Sequence, residues 1–180
     1  AAQFYHFQMT KLFWNHSKIY LLNTLNWNMS EFSITSPEFE EGEEIPKKFG
    51  YKHGNEQPDI EFEDIPAGSQ TLALIMDDPD AMGAGGKVWV HWLQYIPPNE
   101  DLDDTDFWGL RSHPVEGKTD FGEIGYGGPA PPDKRHTYIF KAYALDIILE
   151  LEEGFSKQEL EDAMKGHILA EATLTGTYAP

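Results

Sequence analysis

From residue 29 onward the hydrophobic positions recur with a period of two, the spacing that puts alternate side chains on one face of a β-strand. Phe32 and Ile34 alternate with polar neighbours, and Ile60 and Phe62 do the same. Residues 71–76 are instead almost continuously apolar, as in a strand covered on both faces. Residues 88–96 and 137–145 are rich in aromatic and β-branched side chains and predict two further strands. Gly and Pro clusters at 66–68, 83–86, 97–99 and 125–132 separate these runs. The spacing predicts a mostly β fold of antiparallel sheets, a sandwich or Greek key, with one or two short peripheral helices near the C-terminus. One helix is well marked. Ser156 followed by Glu159 is a capping box, Phe155 and Leu160 are placed as a hydrophobic staple, and Gly166 is a stop signal. Beyond it Ile168, Ala170, Ala172 and Leu174 alternate like a closing strand.

Composition narrows the chemistry. The chain has 180 residues, 40% of them hydrophobic, which is enough for one sizeable core. It has no cysteine, so disulfides, thiolate nucleophiles and sulfur-bound zinc are excluded. A net charge of -18 opposes long-range attraction to nucleic acid or an anionic lipid surface. No apolar run reaches the roughly 20 residues of a membrane helix. Residues 1–28 contain no Asp or Glu and only two lysines, Lys11 and Lys18, and composition changes abruptly after them. Residues 19–30 are interrupted by Asn23, Thr24, Asn26 and Asn28, unlike a secretion signal. The expectation is therefore an extraneous or flexible extension over 1–28, one domain over 29–180, and a cytoplasmic location.

Three segments can carry chemistry. Asp77-Asp78-Pro79-Asp80-Ala81 follows the buried strand directly. Asp before Pro initiates turns, so at least one of these acids is structural, but carboxylates at the end of a buried strand also need partners or a solvated cleft. Trp89-Val90-His91-Trp92 lies on a predicted strand, where strict alternation puts Trp89 and His91 on one face and Val90 and Trp92 on the other. The third segment, from Gly122 through Tyr126, Gly128 and Pro129 to Pro132, is too rich in Gly and Pro to be regular. Its glycines allow backbone N–H groups to form a concave anion nest, and its prolines stiffen the rim. It precedes His136-Thr137-Tyr138, whose histidine and tyrosine share a strand face.

This order of motifs resembles the phosphatidylethanolamine-binding protein family, in particular its bacterial and archaeal branch of Raf kinase inhibitor-like proteins. The resemblance extends from Ser36-Pro37-Glu38-Phe39 to Gly176-Thr177-Tyr178. It implies a Greek-key fold and a small pocket for phosphate or phosphoryl headgroups. Asp78, His91, His136 and Tyr138 match the pocket residues of that family, and Ala81, Trp89, Tyr126 and Gly128 match its walls, with Asp80 and Pro129 beside them. Three positions depart from the pattern: Met82 stands for a usual proline, Ala130 for cysteine or glycine, and Thr137 for arginine. The reading is a small-anion binding module without cofactor or metal, not an enzyme. The family also implies a regulator of a kinase or protease and a homodimer, with Trp14, Trp27 or Phe107-Trp108 as candidates for the dimer face. The alternative is an enzyme in which Asp78, His91 and His136 act on a phosphorylated small molecule by acid–base or metal-assisted chemistry.

Overall fold

The computed structural model describes residues 31–98 and 113–180. The expected extension, its boundary at residue 29, and Trp14, Trp27, Phe107 and Trp108 lie outside them. Five strands form the central antiparallel sheet: β3 (Thr71–Asp78), β4 (Trp89–Ile96), β5 (Val115–Glu116), β6 (His136–Leu145) and β7 (Ile168–Tyr178). Their order is β5-β4-β3-β6-β7. Strands β3, β4 and β5 follow one another as neighbours, and β6 returns to lie beside β3, which is the Greek-key arrangement. Two short strands, β1 (Ser33–Thr35) and β2 (Glu61–Glu63), pair in a separate sheet.

Two apolar layers sandwich the central sheet. On one face Leu72, Leu74, Met76, Phe140 and Leu174 pack with Phe32, Ile34, Phe39, Ile45 and Phe49 from the N-terminal third. On the other, Ala73, Ile75, Leu93 and Tyr95 pack with Phe155, Leu160 and Met164 of the C-terminal helical region. Every residue of β3 is buried, as its unbroken apolar run requires. The helix expected near the C-terminus spans Lys157–Met164, with both halves of the capping box formed by Ser156 and Glu159. A further short helix, Met82–Gly85, sits between β3 and β4, where the Asp78-Pro79 turn leads into a helical path.

Strict alternation fails in β4. Met76 pairs with Trp92 but Asp77 pairs with Val90, so His91 is the extra residue of a β-bulge. Trp92 therefore packs with Tyr138 and Phe140, while Val90 packs with Leu93 on the opposite face. The expectation that Val90 and Trp92 share a face is corrected accordingly. The bulge brings His91 to the side of the sheet occupied by Tyr138, whose ring meets it edge-on at 5.1 Å between centroids.

Candidate functional site

The site lies where the C-terminal end of β3 meets the N-terminal ends of β4 and β6. Asp77 and Asp78 leave the sheet on opposite faces, as alternation requires. Asp77 is a buried structural anchor: Lys141 Nζ and Lys157 Nζ both donate to its carboxylate, at 2.7 Å each at closest approach, tying the helix to the sheet. Asp78 faces a cavity of about 360 Å³ together with Ala81, Trp89, His91 and Phe121, and with Tyr51 and Lys52 from a preceding turn. Ala130 and Pro132 complete the wall. The Tyr51 and Phe121 rings stack at 4.1 Å, and Phe121 meets both Trp89 and His91 edge-on at 5.4 Å.

Both Asp78 oxygens are engaged. Oδ1 accepts from the Ala81 N–H at 3.1 Å, closing the Asp-Pro turn, and Oδ2 faces His136 Nδ1 at 2.7 Å. The other His136 nitrogen, Nε2, lies 3.0 Å from the exposed Asp133 carboxylate. Burial works against a charged His136, but the hydrogen bonds and charges of Asp78 and Asp133 outweigh it and raise its pKa above the ordinary histidine value.

His91 has a different setting. Its Nδ1 donates to the carbonyls of Gly127 and Gly128 at 2.7 and 3.1 Å, which fixes the Nδ1–H tautomer of the neutral ring. Burial lowers its pKa below the ordinary value, and the carbonyls and Asp78 offset only part of that. With Nδ1 held by the backbone, Nε2 is the ring atom left to meet a ligand. The Trp89 Nε1–H is buried nearby without a hydrogen-bond partner, and the Tyr138 hydroxyl is buried close to Asp78. Burial, reinforced by the Asp78 charge, raises the Tyr138 pKa far above its ordinary value, so this hydroxyl keeps its proton.

The glycine-rich segment does not form the expected nest. The Gly127 N–H donates to His91 O at 2.8 Å and the Gly128 N–H to Asn55 Oδ1 at 2.7 Å, so both are spent inside the protein. These glycines serve close backbone approach instead, since a Cβ at Gly128 would collide with the Phe49 carbonyl and one at Gly127 would lie 2.6 Å from the Phe121 ring.

A family model described as phosphatidylethanolamine-binding protein matches residues 35–179. The chain belongs to the phosphatidylethanolamine-binding protein family. It is 44% identical over 149 residues to a UPF0098 protein of Chlamydia muridarum, covering 81% of this chain and 97% of that one. A UPF0098 protein of Methanothermobacter thermautotrophicus is 42% identical over 138 residues, covering 74% of this chain and 89% of the relative. Among solved structures, a putative phosphatidylethanolamine-binding protein homolog of Chlamydia trachomatis superposes with a TM-score of 0.71 at 39% identity, covering 82% of this chain and 97% of that one. Escherichia coli YbcL, a member of the same family, gives 0.68 at 30% identity, covering 83% and 98%.

Within this phosphatidylethanolamine-binding fold the ten nominated residues fall into three positions. Asp78, Ala81, Trp89 and His91 line the cavity. His136, Tyr138 and Gly128 stand behind it, holding or backing Asp78 and His91. Asp80, Tyr126 and Pro129 act around it: Asp80 Oδ2 accepts from the Thr137 N–H at 2.8 Å, Tyr126 donates to the Phe49 carbonyl at 3.0 Å, and the Pro129 carbonyl accepts from the Tyr51 N–H at 3.0 Å. Sequence reasoning did not nominate Tyr51, Lys52, Phe121 or Pro132. Phe121 carried a signal, being an aromatic immediately before the glycine-rich segment that begins at Gly122; Tyr51 and Lys52 carried none, because only the fold brings their turn to the cavity. No helix among the described residues is long and apolar enough to cross a membrane.

Proposed function

We propose that the cavity binds a small anionic molecule, of the phosphate or phosphoryl-headgroup class, through hydrogen-bond donors on its floor and Lys52 on its wall. One observation carries the reading. With both oxygens of Asp78 already bonded, the lining side chains that can meet an anion are donors: Lys52, the Trp89 indole N–H, and His91 Nε2 once protonated. Buried donors without partners are rare in folded proteins and call for a ligand or water. His136 lies 2.7 Å from Asp78, and its raised pKa favours the charged form, which offsets the carboxylate that would repel an anion. The acid–base or metal-assisted alternative has weaker geometry. His136 spends both nitrogens on carboxylates, and no group of three or more His, Asp or Glu side chains among the described residues is placed to hold a metal ion. Regulation of a kinase or protease, and a homodimer, rest on the family resemblance alone.

Neutral His91 offers a lone pair at Nε2, and only its protonated form donates. Anion binding must then be coupled to proton uptake, and affinity should rise as pH falls through and below about 6.5. The experiment is an NMR titration of inorganic phosphate and phosphoethanolamine at about pH 6, repeated at about pH 8, following the imidazole signals. Saturable shifts at His91, weaker at the higher pH and lost in His91→Ala, support the reading. Silence at millimolar ligand, or equal affinity at both pH values, removes it.

A further inference from the structure

The cavity continues outward into a second one of about 120 Å³, and the two share Lys52, Ala130 and Pro132 as a common rim. Besides that rim, the outer space is bounded by His53, Tyr178 and Pro180 and by Pro129, Pro131 and Pro132. Its lining side chains run against the charge of the rest of the molecule. In a chain with 31 Asp and Glu, no acidic side chain lines it, while Lys52 and His53 do. Among the described residues neither Lys52 nor the neighbouring Lys47 is in an ion pair, whereas Lys87, Lys141 and Lys157 are each bound to a carboxylate.

The walls are built rather than incidental. The His53 and Gly54 N–H groups both donate to Gly50 O, at 3.0 and 3.2 Å, closing the turn that presents Lys52. The Tyr51 N–H clamps that turn onto Pro129. The Tyr178 hydroxyl lies within hydrogen-bond distance of both Lys47 O, at 3.2 Å, and His53 Nδ1, at 2.7 Å, which holds the imidazole with Nε2 directed away from Tyr178. Gly50 has no Cβ to spare here, because one would collide with the Tyr178 hydroxyl. Three prolines stiffen the facing wall and present no N–H of their own.

We propose that this outer cavity is a second anion subsite, so that the preferred ligand carries two anionic groups on a short linker, one at His91 and one at Lys52 and His53. The two-site arrangement rests on the inner anion reading, but the outer subsite has its own reporter. The experiment compares propyl phosphate with propane-1,3-diyl bisphosphate at about pH 6 by NMR, reading His91 for the inner subsite and His53 for the outer. The expected result is that the bisphosphate moves both imidazoles and binds about tenfold more tightly than propyl phosphate, which moves His91 alone. His53→Ala should remove most of that advantage and leave propyl phosphate affinity unchanged, since His53 touches only the outer space. Equal affinities, or a bisphosphate that leaves His53 unmoved while shifting His91, would overturn the second subsite and leave the inner one standing. A shift at His53 without one at His91 would keep the outer anion subsite and remove the inner reading.

Discussion

His91 and His136 flank Asp78 on the two strands either side of β3, one on the edge of the cavity and one behind it. Burial opposes the charged form of both, yet their pKa values move in opposite directions. The difference lies in what fixes each ring. Peptide carbonyls hold His91, giving it an orientation and a tautomer but too little charge to overcome desolvation. Two carboxylates hold His136, and their charge more than repays the loss of water. The backbone contacts thus leave the cavity histidine favouring its neutral form, while side chains favour the charged form of its neighbour beside Asp78.

Removing Asp78 should break this contrast with the largest effect. Asp78 and His136 are a buried pair, at 4% and 1% side-chain exposure, and truncating one partner leaves the other charge uncompensated. Asp78→Ala is expected to cost about 3 kcal/mol or more. The loss should depend on pH. Because the folded pKa of His136 is raised, its contribution is complete below the ordinary histidine value near 6.5 and disappears as pH rises through the folded pKa. The penalty should therefore be larger at about pH 6 than at about pH 9, measured by urea unfolding at both. A penalty equal at the two values would mean that His136 is not charged beside Asp78.

How much of this was readable in the sequence depends on the length scale of the cause. The 3.6-residue capping signals at Ser156 and Glu159 and the period-two alternation at 32–34 and 168–174 act within one element, and each element forms where they place it. Asp78, Ala81, Trp89 and His91 were legible because they sit at the mouths of such elements beside turn residues. The orientation of Trp92 was not, since a bulge is decided by how β4 registers against β3 and leaves no local mark around His91. The role of Gly127 and Gly128 was misread for a related reason. Glycine permits both an anion nest and a close backbone approach, and only the positions of Phe49 against Gly128, 79 residues away in sequence, and of Phe121 against Gly127 select the second. Tyr51 and Lys52 reach the cavity by the same nonlocal packing.

That approach supplies the second prediction. A Cβ at Gly128 would meet the Phe49 carbonyl and lie 2.8 Å from the Tyr51 nitrogen, both backbone atoms that cannot swing aside. Gly128→Ala should destabilise the protein by about 1–3 kcal/mol, as overpacking does. It should also sharpen the comparison, because the displaced carbonyl is one of the two that orient His91, and His136 has no bond to this segment. The His91 imidazole resonances should shift while those of His136 stay in place. Equal movement of both rings would show that the two are not held independently.

The smallest effect is expected at the exposed end of the His136 chain, where Asp133 has 55% of its side chain open to solvent. The hydrogen bond from His136 lowers the Asp133 pKa, so the two groups reinforce each other's charged forms. Asp133→Asn retains an acceptor for Nε2 and deletes only the charge, in a place where water screens most of it. Folding stability should barely change. The His136 titration, followed by NMR, should nevertheless move down in pH, so that its stabilising contribution is lost at a lower pH than in the parent protein. It should remain above that of His91, because Asp78 is the nearer and better-buried partner. A downward move that brings His136 level with His91 would transfer the control of its charge from Asp78 to Asp133, and no move at all would mean that the outer carboxylate does not engage the ring in solution.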